Sequence, residues 1–159
     1  MTSTMRFDKW ENSLGQPYNA VLQVKEFRGG DQVAVTNGTG SGTPVTITSA
    51  TFTTMSPSSK LYLQYYSGQF IVSSGSTNAR FTFWIDGVDQ QVDTDHIFYG
   101  DSSFRHVVTI PLLSISTLSP GSHTIEVKGS AYNGTATFNY QISGTDYRRS
   151  RLIVMEIAQ

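Results

Sequence analysis

Apolar and polar side chains alternate with a period of two along most of this chain, the pattern of strands with one buried face. The run AVLQVKEF, from Ala20, sets Leu22 and Val24 against Gln23 and Lys25 and stops at Gly29-Gly30. DQVAVTN stops at Asn37-Gly38, inside the loop-like stretch NGTGSGTP. In TPVTITSATFTT the apolar phase changes between Ile47 and Phe52, which predicts a bulge or two short strands near Ser49. Pro57-Ser58-Ser59 turns the chain into KLYLQYYSGQFIVSS, which Gly68 divides. ARFTFWIDG alternates most clearly, with Phe81, Phe83 and Ile85 on one side and Thr82, Trp84 and Asp86 on the other. HVVTIPLL follows the polar segment around Asp101. Pro120-Gly121 suits a type II turn and launches HTIEVKG, with Ile125 and Val127 inward. GTATFNYQIS then places Ala136, Phe138, Tyr140 and Ile142 opposite Thr135, Thr137, Asn139 and Gln141.

The final run, RLIVMEIA, breaks this rule. Leu152, Val154 and Ala158 oppose Ile153, Met155 and Ile157, so both faces are apolar and both need cover. One domain supplies one core. The second cover is therefore either a neighbouring copy, with Leu152, Ile153, Val154, Met155 and Ile157 at an oligomer interface, or bends and loops of the same chain. About eight to ten strands at regular spacing, with no amphipathic helix, predict an all-β fold, a two-sheet antiparallel sandwich of jelly-roll type.

Ahead of the first strand, residues 1–19 carry the scattered apolar side chains Phe7, Trp10, Leu14 and Tyr18, and Gly15 and Pro17 interrupt any helix. An extended arm and a disordered leader both fit this composition. The 159 residues suit one domain, divided into an arm with the first strand at 1–26 and a sandwich head at 27–159. The N-terminal stretch contains no apolar run of signal-peptide or membrane-anchor kind, so membrane insertion is not expected.

A hydrophobic fraction of 38% with 12% aromatics favours strands, in agreement with the pattern. The formal net charge of -1 provides no positive field to gather nucleic acid. With no cysteine, disulfides, thiol nucleophiles and cysteine-based zinc sites are excluded. His96, His106 and His123 lie in separate segments without metal-ligand spacing, and His123, in phase with Ile125, reads as a strand-edge histidine. DGVDQQVDTDH gathers Asp86, Asp89, Asp93 and Asp95, but not at EF-hand positions, and reads as a solvated loop. There is no G-x-S-x-G elbow, GTGSGT lacks the lysine of a phosphate-binding loop, and carboxylates such as Asp101 and Glu126 form no recognisable pair. No enzymatic activity and no cofactor are expected. Asn37-Gly38-Thr39 and Asn133-Gly134-Thr135 match glycosylation acceptors, yet Asn-Gly is the preferred type I′ hairpin pair, and the turn reading is favoured. Arg148, Arg149 and Arg151 read as a solvated flank.

Surface aromatics point to binding. Trp84, Tyr62 and Tyr66 face away from the apolar sides of their strands, which suits a protein interface, a sugar-stacking ligand surface or ordinary cross-strand pairing.

The stretch FDKWENSLGQPYNAVLQV, from Phe7 to Val24, resembles the leader that precedes a β-domain in structural proteins of tailed bacteriophages, notably those of cyanobacteria; Trp10, Gly15 and Val21-Leu22-Gln23-Val24 carry the likeness. SPSSKLYLQ from Ser56, LSPGSHTIEVKG from Leu118 and SRLIVMEIAQ from Ser150 resemble a turn, a hairpin and a closing strand of the same family. The resemblance implies a virion structural protein with a TNF-like jelly roll, made in the host cytoplasm and carried as a homotrimer on the particle exterior. Its implied role is a tail-fibre or baseplate module, held by its arm to other virion proteins and presenting the sandwich to the host surface, including host glycans. A capsid decoration protein that cements the head shell is the alternative, and a carbohydrate-binding module using Trp84 is a third. The chain departs from full-length fibres in carrying no long shaft.

Overall fold

β-branched and aromatic residues pack well on a pleated surface, and their distribution here produces strands throughout. The computed structural model describes residues 21–41, 43–57, 59–90, 96–99, 104–116, 118–140 and 149–158. Phe7, Trp10, Leu14 and Tyr18 of the expected arm lie outside these, as do Asp93, Asp95, Asp101, Ile142 and Arg148. The strands are β1 (Val21–Arg28), β2 (Val33–Ser41), β3 (Val45–Thr54), β4 (Lys60–Tyr66), β5 (Ile71–Val72), β6 (Asn78–Ile85), β7 (Val88–Asp89), β8 (His96–Tyr99), β9 (Thr109–Ser116), β10 (Gly121–Phe138) and β11 (Arg151–Ile157).

They form two antiparallel sheets. One has the order β1-β11-β4-β9; the other has β10 at its centre, with β2 and β3 along one edge of it and β5 and β6 along the other, and with β7 and β8 pairing β6. The chain switches sheet after β1, after β3, after β4, after β8, after β9 and after β10, so the first and last strands end up side by side. This alternation is jelly-roll connectivity.

The central strand corrects a local reading. Asn133-Gly134 does not close a hairpin; both residues take positive φ (55° and 135°) inside the continuous 18-residue strand β10. Opposite them, Asn37-Gly38 lies within β2, and the register slips between Tyr132↔Ser41 and Gly134↔Asn37. Three residues of β2, 38–40, thus stand opposite Asn133 alone, and β10 bends at its two positive-φ residues. Its first half pairs β3 and β6 and its second half β2 and β5. Only glycine fits the second position, because a Cβ there would meet Ser73 Oγ and Thr77 Oγ1. The phase change in β3 is a bulge, at Ile47 between the pairs Thr46↔Lys128 and Thr48↔Val127. Gly68 separates β4 from β5 with φ 63°.

Between the sheets, Leu61, Leu63, Tyr65, Leu152 and Val154 face Phe52, Phe81, Phe83, Ile125, Val127 and Phe138. The rings interlock edge-on, with Phe70 5.5 Å from Phe81, Phe81 5.2 Å from Phe138 and Tyr65 6.5 Å from Phe83. Each such pair contributes about 0.5–1.5 kcal/mol beyond area burial. In β1 the valines are not the inward side chains. Its pairing with β11 sets Gln23, Lys25 and Phe27 on the same face as Glu156, Val154 and Leu152, and turns Val24 outward, 54% exposed. Lys25 reaches inward over the Phe52 ring, 5.3 Å from its centroid.

One end of the sandwich is closed by neutral polar groups. Asn139, placed on the solvent face by alternation, is fully buried, because its positive φ (51°) reverses its direction. Its Nδ2 donates to the carbonyls of Ile47, Gly30 and Asp31, and its Oδ1 accepts from Ser150 N at 3.0 Å. Nearby, Thr48 Oγ1 lies 2.7 Å from Ser150 Oγ and 3.4 Å from the Tyr65 hydroxyl. Burial pushes that phenol up to about 12, against the lowering effect of its bonds to Ser150 and Thr48. Gly29 N donates to Ser150 O at 2.8 Å, and the approach is so close that a methyl group on Gly29 would run into Ser150 Oγ. Gly29→Ala is therefore expected to destabilise the fold by roughly 1–3 kcal/mol, as overpacking does, whereas Gly30→Ala, with its nearest neighbour 4.0 Å away, leaves stability nearly unchanged. Urea unfolding midpoints of the two variants test this pair of outcomes.

Candidate functional site

Strand register aligns the outward side chains of β1, β11 and β4 into rows. Val21, Ile157 and Lys60 form the first, Val24, Met155 and Tyr62 the second, Glu26, Ile153 and Gln64 the third, and Arg28, Arg151 and Tyr66 the fourth. The inward side chains Leu152 and Val154 are fully buried in the core, while Ile153, Met155 and Ile157 are half-buried on the surface. The doubly apolar last strand thus has one face inside the sandwich and the other in the middle of an outer sheet face. Val21 and Val24, more than half exposed, extend the apolar area onto β1. Charge gathers at its border, where Arg151 Nη1 donates to Glu26 Oε1 at 3.1 Å. An apolar centre with a polar rim is the composition of a protein-protein interface.

The expected aromatic surface divides. Tyr62 and Tyr66 lie on this face, whereas Trp84 lies on the outside of the other sheet. Lys128 Nζ sits 3.9 Å from the centre of the Trp84 ring and 3.4 Å from Glu126, and Trp84 Nε1 donates to Thr82 Oγ1. One ring face is therefore occupied by a cation. Of the basic cluster, Arg151 pairs with Glu26, and Arg149 lies 3.5 Å from Asp31. Among the described residues no cluster of His, Asp and Glu has metal-binding geometry, and no helix is long and apolar enough to cross a membrane.

A residue that the sequence reading passed over controls the end of this face. Glu156 shares the inward parity of Leu152 and Val154 and is fully buried. Its Oε1 accepts from Ser59 Oγ at 2.6 Å, Met55 N at 2.8 Å and Ser56 N at 3.1 Å, and its Oε2 accepts from Gln23 Nε2 at 2.6 Å. Gln23 Nε2 also donates to Thr53 O. Glu156 thereby ties β1 and the β3–β4 connection to the last strand. Burial raises the carboxyl pKa, but the four donors outweigh it and hold the group below its ordinary value.

Replacing Glu156 with Gln removes the charge and sets an amide donor among donors. Hydrogen bonds to charged groups contribute about 1.5–3 kcal/mol, and a loss of that order is expected. Because the folded pKa lies below the unfolded one, this stabilisation is complete above the unfolded value, near 4.5, and is lost as pH falls through the folded value. Denaturation curves across acid pH should show a shallower decline for the variant than for the wild type.

No protein family and no curated protein matches this chain. Among solved structures, that of infectious bursal disease virus Gx strain aligns with 100% of this chain and 41% of its own, at 12% identity and a TM-score of 0.49.

Proposed function

We propose that the chain is a non-enzymatic virion structural protein of the tail-fibre or baseplate type, whose copies associate as a homotrimer through the outer face of the four-stranded sheet. The observation that carries this reading is the apolar row Val24, Met155 and Tyr62, flanked by Val21, Ile153 and Ile157, which runs across three strands with charge confined to its border. A lone strand with one exposed valine is ordinary; a contiguous apolar area across a sheet face is the mark of a surface that meets another. Identical copies supply the simplest partner, since closed symmetric assemblies dominate among soluble oligomers. The phage-like segments from Phe7 to Val24 and from Ser150 support a place on a virion, with the N-terminal arm as the attachment. A sugar-stacking role is less well supported, because Trp84 stands apart from Tyr62 and Tyr66 and carries Lys128 on its ring.

Met155→Asp places a carboxylate at the centre of the face without touching the core. Burying it unpaired costs several kcal/mol, at 1.4 kcal/mol per tenfold in affinity. Sedimentation velocity should therefore show a wild-type trimer and a folded variant whose dissociation constant is raised about a hundredfold or more. A wild type that stays monomeric up to about 100 µM, well above micromolar affinities, excludes self-association. Quantifying the protein per particle then separates the two locations. A few copies per tail fit the fibre or baseplate, while one set per shell subunit fits capsid decoration.

A further inference from the structure

We propose that His123 is a protonation-dependent clamp on one end of the sandwich, closed while the imidazole carries both protons and opened when it loses one. His123 heads β10 and points inward with Ile125, its side chain only 8% exposed. Its Nδ1 lies 2.7 Å from Asp86 Oδ2 and its Nε2 lies 2.8 Å from the Ser119 carbonyl oxygen. A carbonyl oxygen and an ionised carboxylate only accept hydrogen bonds, whereas a neutral imidazole has a single N–H. Both contacts are satisfied together by imidazolium alone. Removing one proton sets a nitrogen lone pair against an oxygen lone pair on a ring that is itself buried, although Asp86 and Ser119 are exposed, and one of the two hydrogen bonds is lost.

The two acceptors belong to separate connections. Asp86 (φ 50°) and Gly87 (φ 79°) form the turn between β6 and β7, and Asp86 is further held to β10, where its Oδ1 accepts from Thr124 N at 2.8 Å and its N donates to Thr124 O. Ser119 lies in the β9–β10 connection, and its carbonyl also accepts from Thr54 Oγ1, the end of β3, which in turn takes Gly121 N. One side chain thus joins β10, a turn, a connection and the end of β3.

Among the described residues the charged surroundings are few. From the β6–β7 turn comes Asp86; from β3, across the ladder, comes uncharged Phe52, over which Lys25 of β1 extends its ammonium; Asp89 of β7 pairs with Trp84 on the outer side; and Glu156 of β11 is bonded to Met55 N and Ser56 N, next along the chain from Thr54. The hydrogen bond that His123 donates to Asp86 raises its pKa above the ordinary value, burial opposes this, and the Ser119 carbonyl adds to the rise; the same contact lowers Asp86. With the folded histidine above the unfolded one, the clamp's stabilisation is complete below the unfolded value, near 6.5, and lost as pH rises through the folded value. On the acid side it fades only as pH falls below that of an ordinary aspartate, near 3.8, through the lowered Asp86 value. The clamp opens toward alkali, opposite in direction to a histidine switch that acts by acquiring a charge.

The test follows hydrogen exchange, corrected for intrinsic base catalysis, from about pH 6 to pH 9, a range that brackets an upward-shifted histidine, alongside NMR titration of the imidazole. In the wild type, residues 84–90 and 118–124 should lose protection together as His123 titrates, while residues 61–65 and 152–156 keep theirs. Asp86→Asn keeps an acceptor and suits the positive-φ turn, so the fold is retained and the midpoint moves to lower pH. Protection that does not change with His123 titration, a neutral His123 tautomer at pH 6, or an unmoved midpoint in Asp86→Asn would each overturn the clamp.

Discussion

The backbone of β10 is the constraint on which the architecture rests. Its N–H and C=O groups lie in the interior of a sheet on both sides, and buried backbone groups without partners are costly. Eighteen residues need partners along two edges, and four shorter strands supply them, β3 and β6 for the first half and β2 and β5 for the second. The positive-φ pair Asn133-Gly134 bends β10 between them, and Phe138 then folds back against Gly129, where a Cβ would meet the aromatic ring at 2.7 Å. A sheet in two panels results, curved around the aromatic core.

The two ends of that core are sealed by different chemistry. At one end a neutral amide and three hydroxyls do the work, around Asn139, Tyr65, Thr48 and Ser150. At the other, two ionised side chains hold the connections: Glu156 grips the β3–β4 segment, and His123 grips the β6–β7 turn and the β9–β10 connection. Neutral groups hold across pH, whereas the charged end is firmest between the pKa of its carboxylates and that of its histidine. The two ends thus differ in chemistry, although the neutral one also carries the exposed pair Asp31–Arg149 at its surface.

Much of the sheet structure was legible because strands with one buried face announce themselves. Phe81, Phe83 and Ile85 against Trp84, and Leu61, Leu63 and Tyr65 against Tyr62 and Tyr66, lie in the structure as alternation places them. Asn133-Gly134 was misread for a physical reason: positive φ at consecutive residues serves a hairpin and a bend within a strand alike, and what decides is which strands flank it. Asn139 escaped because a single left-handed residue at a strand end inverts parity. Glu156 had a signal, its shared phase with Leu152 and Val154, but a carboxylate on an inward face is explained only by donors far away in sequence, at Gln23, Met55, Ser56 and Ser59. The apolar outer face was half legible. Ile153, Met155 and Ile157 could be seen in one strand, whereas Val21 and Val24 join them only through the β1–β11 register.

Lys25 gives this arrangement a further meaning. Among the described residues β1 pairs with β11 alone, so its other edge offers free backbone groups on which a foreign strand can template. An ammonium turned inward at that edge penalises such an addition, since an incoming strand would have to cover the charge. For the proposed trimer, such a penalty favours contact through the face over contact along the edge. Growth along an edge has no natural end and produces ribbons, whereas faces that meet at fixed angles produce a particle of definite size.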